Sequence, residues 1–171
     1  GLGRHVVTAL VECGARRIAV ASRHASAEAA AGMTDHLHAA GVTVRSFPAD
    51  VRSWTEAERL VETVEAALGP LRGVIHAAGV LDDGSLLQQD WSRFETVMAP
   101  KVSGSWLLHR LSAGRPLGFL VLFSSMASVF GSPGRANHSA ANSFMDADAH
   151  DRRHRGRPAL SINWGVWSDG G

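Results

Sequence analysis

Tyrosine is absent from all 171 residues of this sequence. No phenol is available for proton transfer, so any acid or base work falls to histidine, lysine, carboxylates or hydroxyls. Cysteine occurs once, at Cys13. One thiol excludes a disulfide framework within the chain, which suits a reducing compartment such as the cytoplasm. Its place in a helical pattern reads as a small buried hydrophobe. Long apolar runs are missing: nothing approaches the roughly 20 residues that span a bilayer, and no secretory signal pattern opens the chain. A strong charge of one sign is missing too. Lys and Arg total 17 against 16 for Asp and Glu, a formal net charge of +1, which excludes the field that draws nucleic acid or an anionic membrane surface. The histidines are not set among carboxylates or cysteines at ligand spacing, so no metal site is expected.

What is present is an ordinary globular balance, 45% hydrophobic and 19% charged, in a length that buries one core. A single domain over residues 1–171 is expected. Strand-like apolar runs alternate with helical patterns, which predicts a doubly wound parallel α/β sheet. Val6, Val7, Leu10 and Val11 repeat at helical spacing after Gly1-Leu2-Gly3, and Gly14 stops that helix. RIAVAS, residues 17–22, is a strand with Ser22-Arg23-His24 at its carboxyl end. An alanine-rich helix over 26–40, a strand over 42–47 and Asp50-Val51 follow. Ser53 is a helix N-cap with Glu56 placed for a capping box, and Leu60, Val64 and Leu68 mark that helix's apolar face. A strand over 71–76 ends in His76, which reads as a satisfied core histidine, and Ala77-Ala78-Gly79 follows as a turn of small residues that lets backbone approach a flat ligand. A helical region over 91–111 is interrupted near Pro100. Both ends look cut, because a glycine turn that opens a helix should follow a strand and none precedes Gly1.

The densest chemistry lies in residues 123–146, FSSMASVFGSPGRANHSAANSFMD. The apolar run over 118–123 predicts a buried strand ending in Ser124 and Ser125, then a loop with Gly131, Pro133 and Gly134, then a helix opened near Asn137. Ligands gather beyond the carboxyl ends of strands in such sheets. Ser124, Ser125, His138 and Asn142 are therefore placed where substrate or cofactor would lie, and His138 and Asn142, four apart, share a helix face. Residues 146–157, rich in Arg and His, read as the solvated end of that helix.

These motifs, together with His76-Ala77-Ala78-Gly79-Val80-Leu81-Asp82-Asp83-Gly84, Pro100-Lys101-Val102 and Asn163-Trp164-Gly165-Val166-Trp167, resemble the ketoreductase domains of modular polyketide synthases, in the short-chain dehydrogenase/reductase superfamily. The resemblance implies a Rossmann-like sheet, truncated here at both ends, and reduction of the β-ketone of a carrier-bound acyl chain by NADPH. It implies Lys101, Ser125 and Asn142 as catalytic residues, with His138 at the place of the catalytic tyrosine. Asn142 lies four after His138 and Lys101 far upstream, an exchange of lysine and asparagine that sets these synthase domains apart from common short-chain dehydrogenases.

For the cofactor the resemblance points to Gly1, Leu2 and Gly3 as the tail of a dinucleotide-binding glycine motif, to Ser22 and Arg23, to Asp50 and Val51 along the adenine, and to Ala77, Ala78 and Gly79. A basic residue such as Arg23 suits the 2′-phosphate of NADP. On the substrate side, Leu81, Asp82, Asp83, Pro133 and Asn137 resemble the pattern of the B-type stereochemical class. The implied partners are an acyl carrier protein, with its phosphopantetheine-tethered chain, and neighbouring synthase domains. With His138 replacing the phenol, reduction is expected to be impaired or silent. The competing readings are a non-catalytic NADPH-binding or scaffold domain, and a stand-alone dehydrogenase, which the exchange of lysine and asparagine disfavours.

Overall fold

A computed structural model describes residues 2–25, 37 and 41–167. Gly1 and, apart from Leu37, the helix expected over 26–40 lie outside the described residues. The chain divides into two compact units, residues 1–70 with 168–171, and residues 71–167.

The first unit contains α1 (Leu2–Glu12), β1 (Arg17–Ser22), β2 (Thr43–Pro48) and α2 (Trp54–Leu68). β1 and β2 pair in parallel, with Ile18 opposite Val44 and Ser22 opposite Pro48. Val7, Ile18, Leu37, Val42 and Val44 form the core. Gly14 follows α1 with φ +95°, a left-handed value that glycine adopts without a Cβ clash. Cys13 is exposed, against the buried position read from the helical pattern. α1 ends one residue earlier, and its inward row is carried by Val7 with Leu10 and Val11 partly buried. α2 buries Ala57, Val61, Val64 and Leu68, a 3.6-residue stripe that leaves Leu60 at its edge. Ser53 caps it, its side chain accepting from Glu56 N at 3.4 Å. The expected capping box is only half made. The Glu56 carboxylate accepts from Asp50 N at 2.8 Å, while Ser53 N donates to Asp50 O.

The second unit contains β3 (Gly73–His76), α3 (Trp91–Met98), a widened π-type turn (Ala99–Ser103), α4 (Gly104–Leu111), β4 (Phe119–Ser125), the short α5 (Ala127–Phe130), α6 (Ala136–His154) and β5 (Leu160–Trp164). Its sheet runs β3-β4-β5, parallel throughout. Central β4 is the most apolar strand: Leu120 and Leu122 are fully buried against Met145 and Ala149 of α6. The two serines expected after this strand are its last residues, paired with Asn163 and Trp164 of β5. Gly131 and Gly134, at φ +72° and +76°, turn the chain between α5 and α6. The second half of α6 is solvated, as its composition suggests, on one face only, where His150 and Arg153 are exposed. Asp148 and Arg152 are buried, one turn apart and facing α4. Among the described residues no helix is long and apolar enough to cross a membrane.

Candidate active site at the carboxyl ends of β3 and β4

The turn after α3 sets the site. Proline has no N–H and its ring crowds the preceding helical turn, so a helix through Pro100 must widen or break. Here it widens. Gly104 N, which in a regular α-helix would bond the carbonyl of Pro100, donates to Ala99 O and Lys101 O instead. Lys101 leaves this turn with 7% of its surface exposed. Its Nζ donates to Phe123 O at 3.0 Å and to Asn142 Oδ1 at 3.0 Å. Both acceptors are neutral dipoles. Burial therefore pulls the Lys101 pKa from the usual 10.5 to about 8, with Asp146 opposing. Asn142, itself fully buried, passes the chain of hydrogen bonds on: its Nδ2 donates to His138 O at 2.7 Å.

Gly79 has a tighter purpose than approach to a ligand. A Cβ on it would stand 3.0 Å from Lys101 Cε, so the small residue makes room for the lysine stem.

His138 lies in the first turns of α6, half-buried, and its Nδ1 is buried without a protein hydrogen-bond partner among the described residues. Burial lowers its pKa, and the Lys101 ammonium and Arg135 guanidinium lower it further, against Asp83. The ring is thus neutral at neutral pH. Ser125 Oγ accepts from Ala127 N at 3.2 Å, which leaves its own proton free to donate.

The turn holding Leu81, Asp82 and Asp83 is tied to the start of α6. Gly84 N donates to Gly134 O at 2.8 Å, Arg135 Nε to Asp83 at 2.8 Å, and buried Asn137 Nδ2 to Asp82 O at 2.9 Å. Asp82 also holds Arg93 of α3 through Nε at 2.9 Å and through a second, short bond. Leu81 and Pro133 remain exposed at this rim. Arg93 and Arg135 were invisible as site residues in the sequence. They lie 11 and 52 positions from their carboxylates, and no local pattern joins them.

Behind the serines, Asp146 accepts from Ser128 Oγ at 2.5 Å and Asn163 Nδ2 at 2.8 Å, and also from Ser161. Burial would raise its pKa, but these hydrogen bonds and one from Ser124 outweigh it and hold the carboxyl below its usual range. Asp146 and Asn163 thus fasten β5 and α6 beneath the Ser124-Ser125 strand end.

The remaining candidate residues belong to the first unit, where Leu2 and Gly3 open α1, and Ser22 and exposed Arg23 stand at the carboxyl end of β1. The Asp50 carboxylate is taken up by Arg52, at 2.6 Å from its terminal nitrogen, and that hydrogen bond is the main cause lowering its pKa. Asp50 is therefore a turn-forming group here, with Val51 beside it. Among the described residues no group of His, Cys, Asp and Glu could hold a metal ion.

A family model for the KR domain matches residues 1–169. The chain belongs to the ketoreductase domain family. Its relatives are modular polyketide synthases. It is 40% identical over 176 aligned positions to a phthioceranic/hydroxyphthioceranic acid synthase of Mycobacterium tuberculosis, which covers 99% of this chain and 8% of the synthase. Among solved structures it is similar to a ketoreductase from the first module of phoslactomycin biosynthesis in Streptomyces sp. HK803. That match has a TM-score of 0.92 and 36% identity, and covers 100% of this chain and 40% of that one. An A-type ketoreductase from a modular polyketide synthase superposes with a TM-score of 0.93 at 35% identity, covering 100% of this chain and 36% of that one. The ketoreductase domain thus has the Rossmann-like parallel sheets and flanking helices of that family, whose members bind a nicotinamide cofactor. It spans less than a tenth of the synthase that it resembles.

Proposed function

We propose that this ketoreductase domain descends from enzymes that reduce the β-ketone of an acyl chain on a carrier protein with NADPH, and that its own reductase step is impaired or silent. The observation that carries this reading is the state of His138. In the family the proton for the developing alkoxide comes from a tyrosine acidified by a neighbouring ammonium. On the imidazole, burial disfavours the acid form first, and the same ammonium, Lys101, adds to it. A neutral ring can still donate an N–H hydrogen bond, but it is shorter than a phenol, and a misplacement of about 1 Å can cost about a hundredfold.

The rest of the site fits the family's chemistry. Ser125 has its hydroxyl proton free for a ketone oxygen, and Lys101 and Asn142 are ordered. Arg23 at the end of β1 is a donor of the kind that suits the 2′-phosphate of NADPH. Leu2, Gly3, Ser22 and Val51 are the other cofactor positions that the family implies in the first unit, and Ala77, Ala78 and Gly79 those it implies in the second. When bound, the cofactor supplies the hydride. The Leu81-Asp82-Asp83 turn, with Pro133 and Asn137, supports a B-type pattern on the substrate side, because its carboxylates and backbone are spent on fixing the loop before α6. The partners are an acyl carrier protein bearing a phosphopantetheine-tethered chain and the neighbouring synthase domains, in the cytoplasm. A second reading, a non-catalytic NADPH-binding or scaffold domain, rests on the same histidine. Consumption of NADPH with a model β-ketothioester, beside an NADPH binding titration, separates a working reductase from a domain that binds without turnover and from a scaffold that does not bind. Binding with turnover at background is expected. Turnover near that of tyrosine-bearing ketoreductases refutes impairment, and failure to bind NADPH leaves only the scaffold role.

A further inference from the structure

His76 is the last residue of β3, 4% exposed, and no step above uses it. Its Nε2 lies 2.9 Å from Pro100 O. A carbonyl oxygen only accepts, so Nε2 carries the proton. The bond is made to the one residue of the widened turn that cannot donate from its own backbone nitrogen, and it reaches the carbonyl that Gly104 N has left for its neighbours. The next residue is Lys101, whose Cε would stand 3.0 Å from a Cβ on Gly79 and whose Nζ donates to Phe123 O and Asn142 Oδ1. Among the described residues, no other side-chain hydrogen bond joins β3 to the lysine turn. A displacement of this turn by about an ångström would stretch both bonds from 3.0 Å past hydrogen-bond range.

We propose that His76 is a positioning residue for Lys101, its Nε2–H holding Pro100 O so that the widened turn delivers the lysine Nζ onto Phe123 O and Asn142 Oδ1. The charge arrangement agrees. Burial, with Lys101 nearby, lowers the His76 pKa to about 4, so the ring stays neutral and adds no second cation beside the ammonium. The other titratable groups acting on Lys101 are His138 and Asp146, both on α6. The ketoreductase reading enters only by giving Lys101 a catalytic purpose. Placement is read without turnover, so a domain that reduces ketones after all leaves the result unaffected.

The test uses nitrogen-15 NMR of the full ketoreductase domain. In the wild type, the His76 ring should be neutral and protonated at Nε2 from pH 8 down to pH 5. The opposite tautomer, or protonation near the ordinary histidine value, overturns the proposal. His76→Gln keeps an N–H donor of similar reach and should leave the Lys101 titration near 8. His76→Leu keeps volume without a donor and should shift that titration toward the ordinary lysine value of 10.5 as Nζ gains water. A folded His76→Leu domain with an unchanged Lys101 titration overturns the proposal, because a role in core packing alone would not link the two residues. If His76→Leu does not fold, the wild-type tautomer and the His76→Gln titration decide, and a Lys101 shift in folded His76→Gln counts against the donor.

Discussion

The first half of α6 carries one buried polar cluster, around Lys101, Asn142 and His138; the second half carries another, around Asp148 and Arg152. In the first, an ammonium meets only neutral acceptors, a backbone carbonyl and an amide oxygen. In the second, opposite charges lie together. His109 Nδ1 stands 2.5 Å from Asp148 Oδ1, and Arg152 donates to His109 O and Ser112 Oγ at 3.1 Å each. Burial raises the Asp148 pKa, and burial also lowers that of Arg152. Asp148 Oδ2 and Arg152 Nε have no hydrogen-bond partner among the described residues. The difference separates two uses of buried charge. The far cluster is a clamp between α4 and α6, where opposite charges offset each other's desolvation only in part. The near cluster leaves the lysine without a counter-charge in contact, so its field reaches the site. That field is useful to a phenol and adverse to an imidazole.

Removing one side of the clamp should have the largest effect on stability. Arg152→Met leaves the buried Asp148 carboxylate with His109 alone and should cost about 3 kcal/mol in urea unfolding. A loss below 1 kcal/mol would mean that the far cluster is not a clamp. Next comes acid. The folded pKa of His76, about 4, lies below its usual 6.5, so between these values the unfolded chain binds more protons. This contribution is whole above pH 6.5 and is lost as the pH falls toward 4, a change on the order of 3 kcal/mol. His76→Gln should flatten that part of the stability profile relative to the wild type. The smallest effect belongs to the rim. Asp83→Asn breaks an ion pair with 44% and 39% of its side chains exposed, worth at most about 1 kcal/mol. It also removes the one carboxylate that supports the charged form of His138, so the His138 titration in NMR should move further down. An unchanged titration would remove Asp83 from the account.

Much of this was legible before any coordinates. Alternating apolar runs anticipated the parallel strands, and the four-residue spacing of His138 and Asn142 anticipated their shared face of α6, where Asn142 Nδ2 donates to His138 O. Three things were not legible, each for a physical reason. Composition made residues 146–157 look solvated, because the partners of buried Asp148 and Arg152 are His109 and Ser112, 39 to 43 positions away, and such contacts have no local signature. Cys13 fell in a helical stripe, but the helix stops one residue before it. His76 read correctly as a satisfied core histidine, yet its acceptor is the carbonyl of Pro100, 24 positions away, and only the widened turn explains why that carbonyl is available.

The central claim is that a site otherwise ordered for ketone reduction lacks a competent acid at residue 138. Its most direct test compares NADPH oxidation by the wild-type domain and by His138→Tyr, with the same β-ketothioester at saturating cofactor. The account predicts background turnover in the wild type and a gain on the order of a hundredfold in the variant. A wild-type rate equal to that of a turning-over His138→Tyr domain would contradict it.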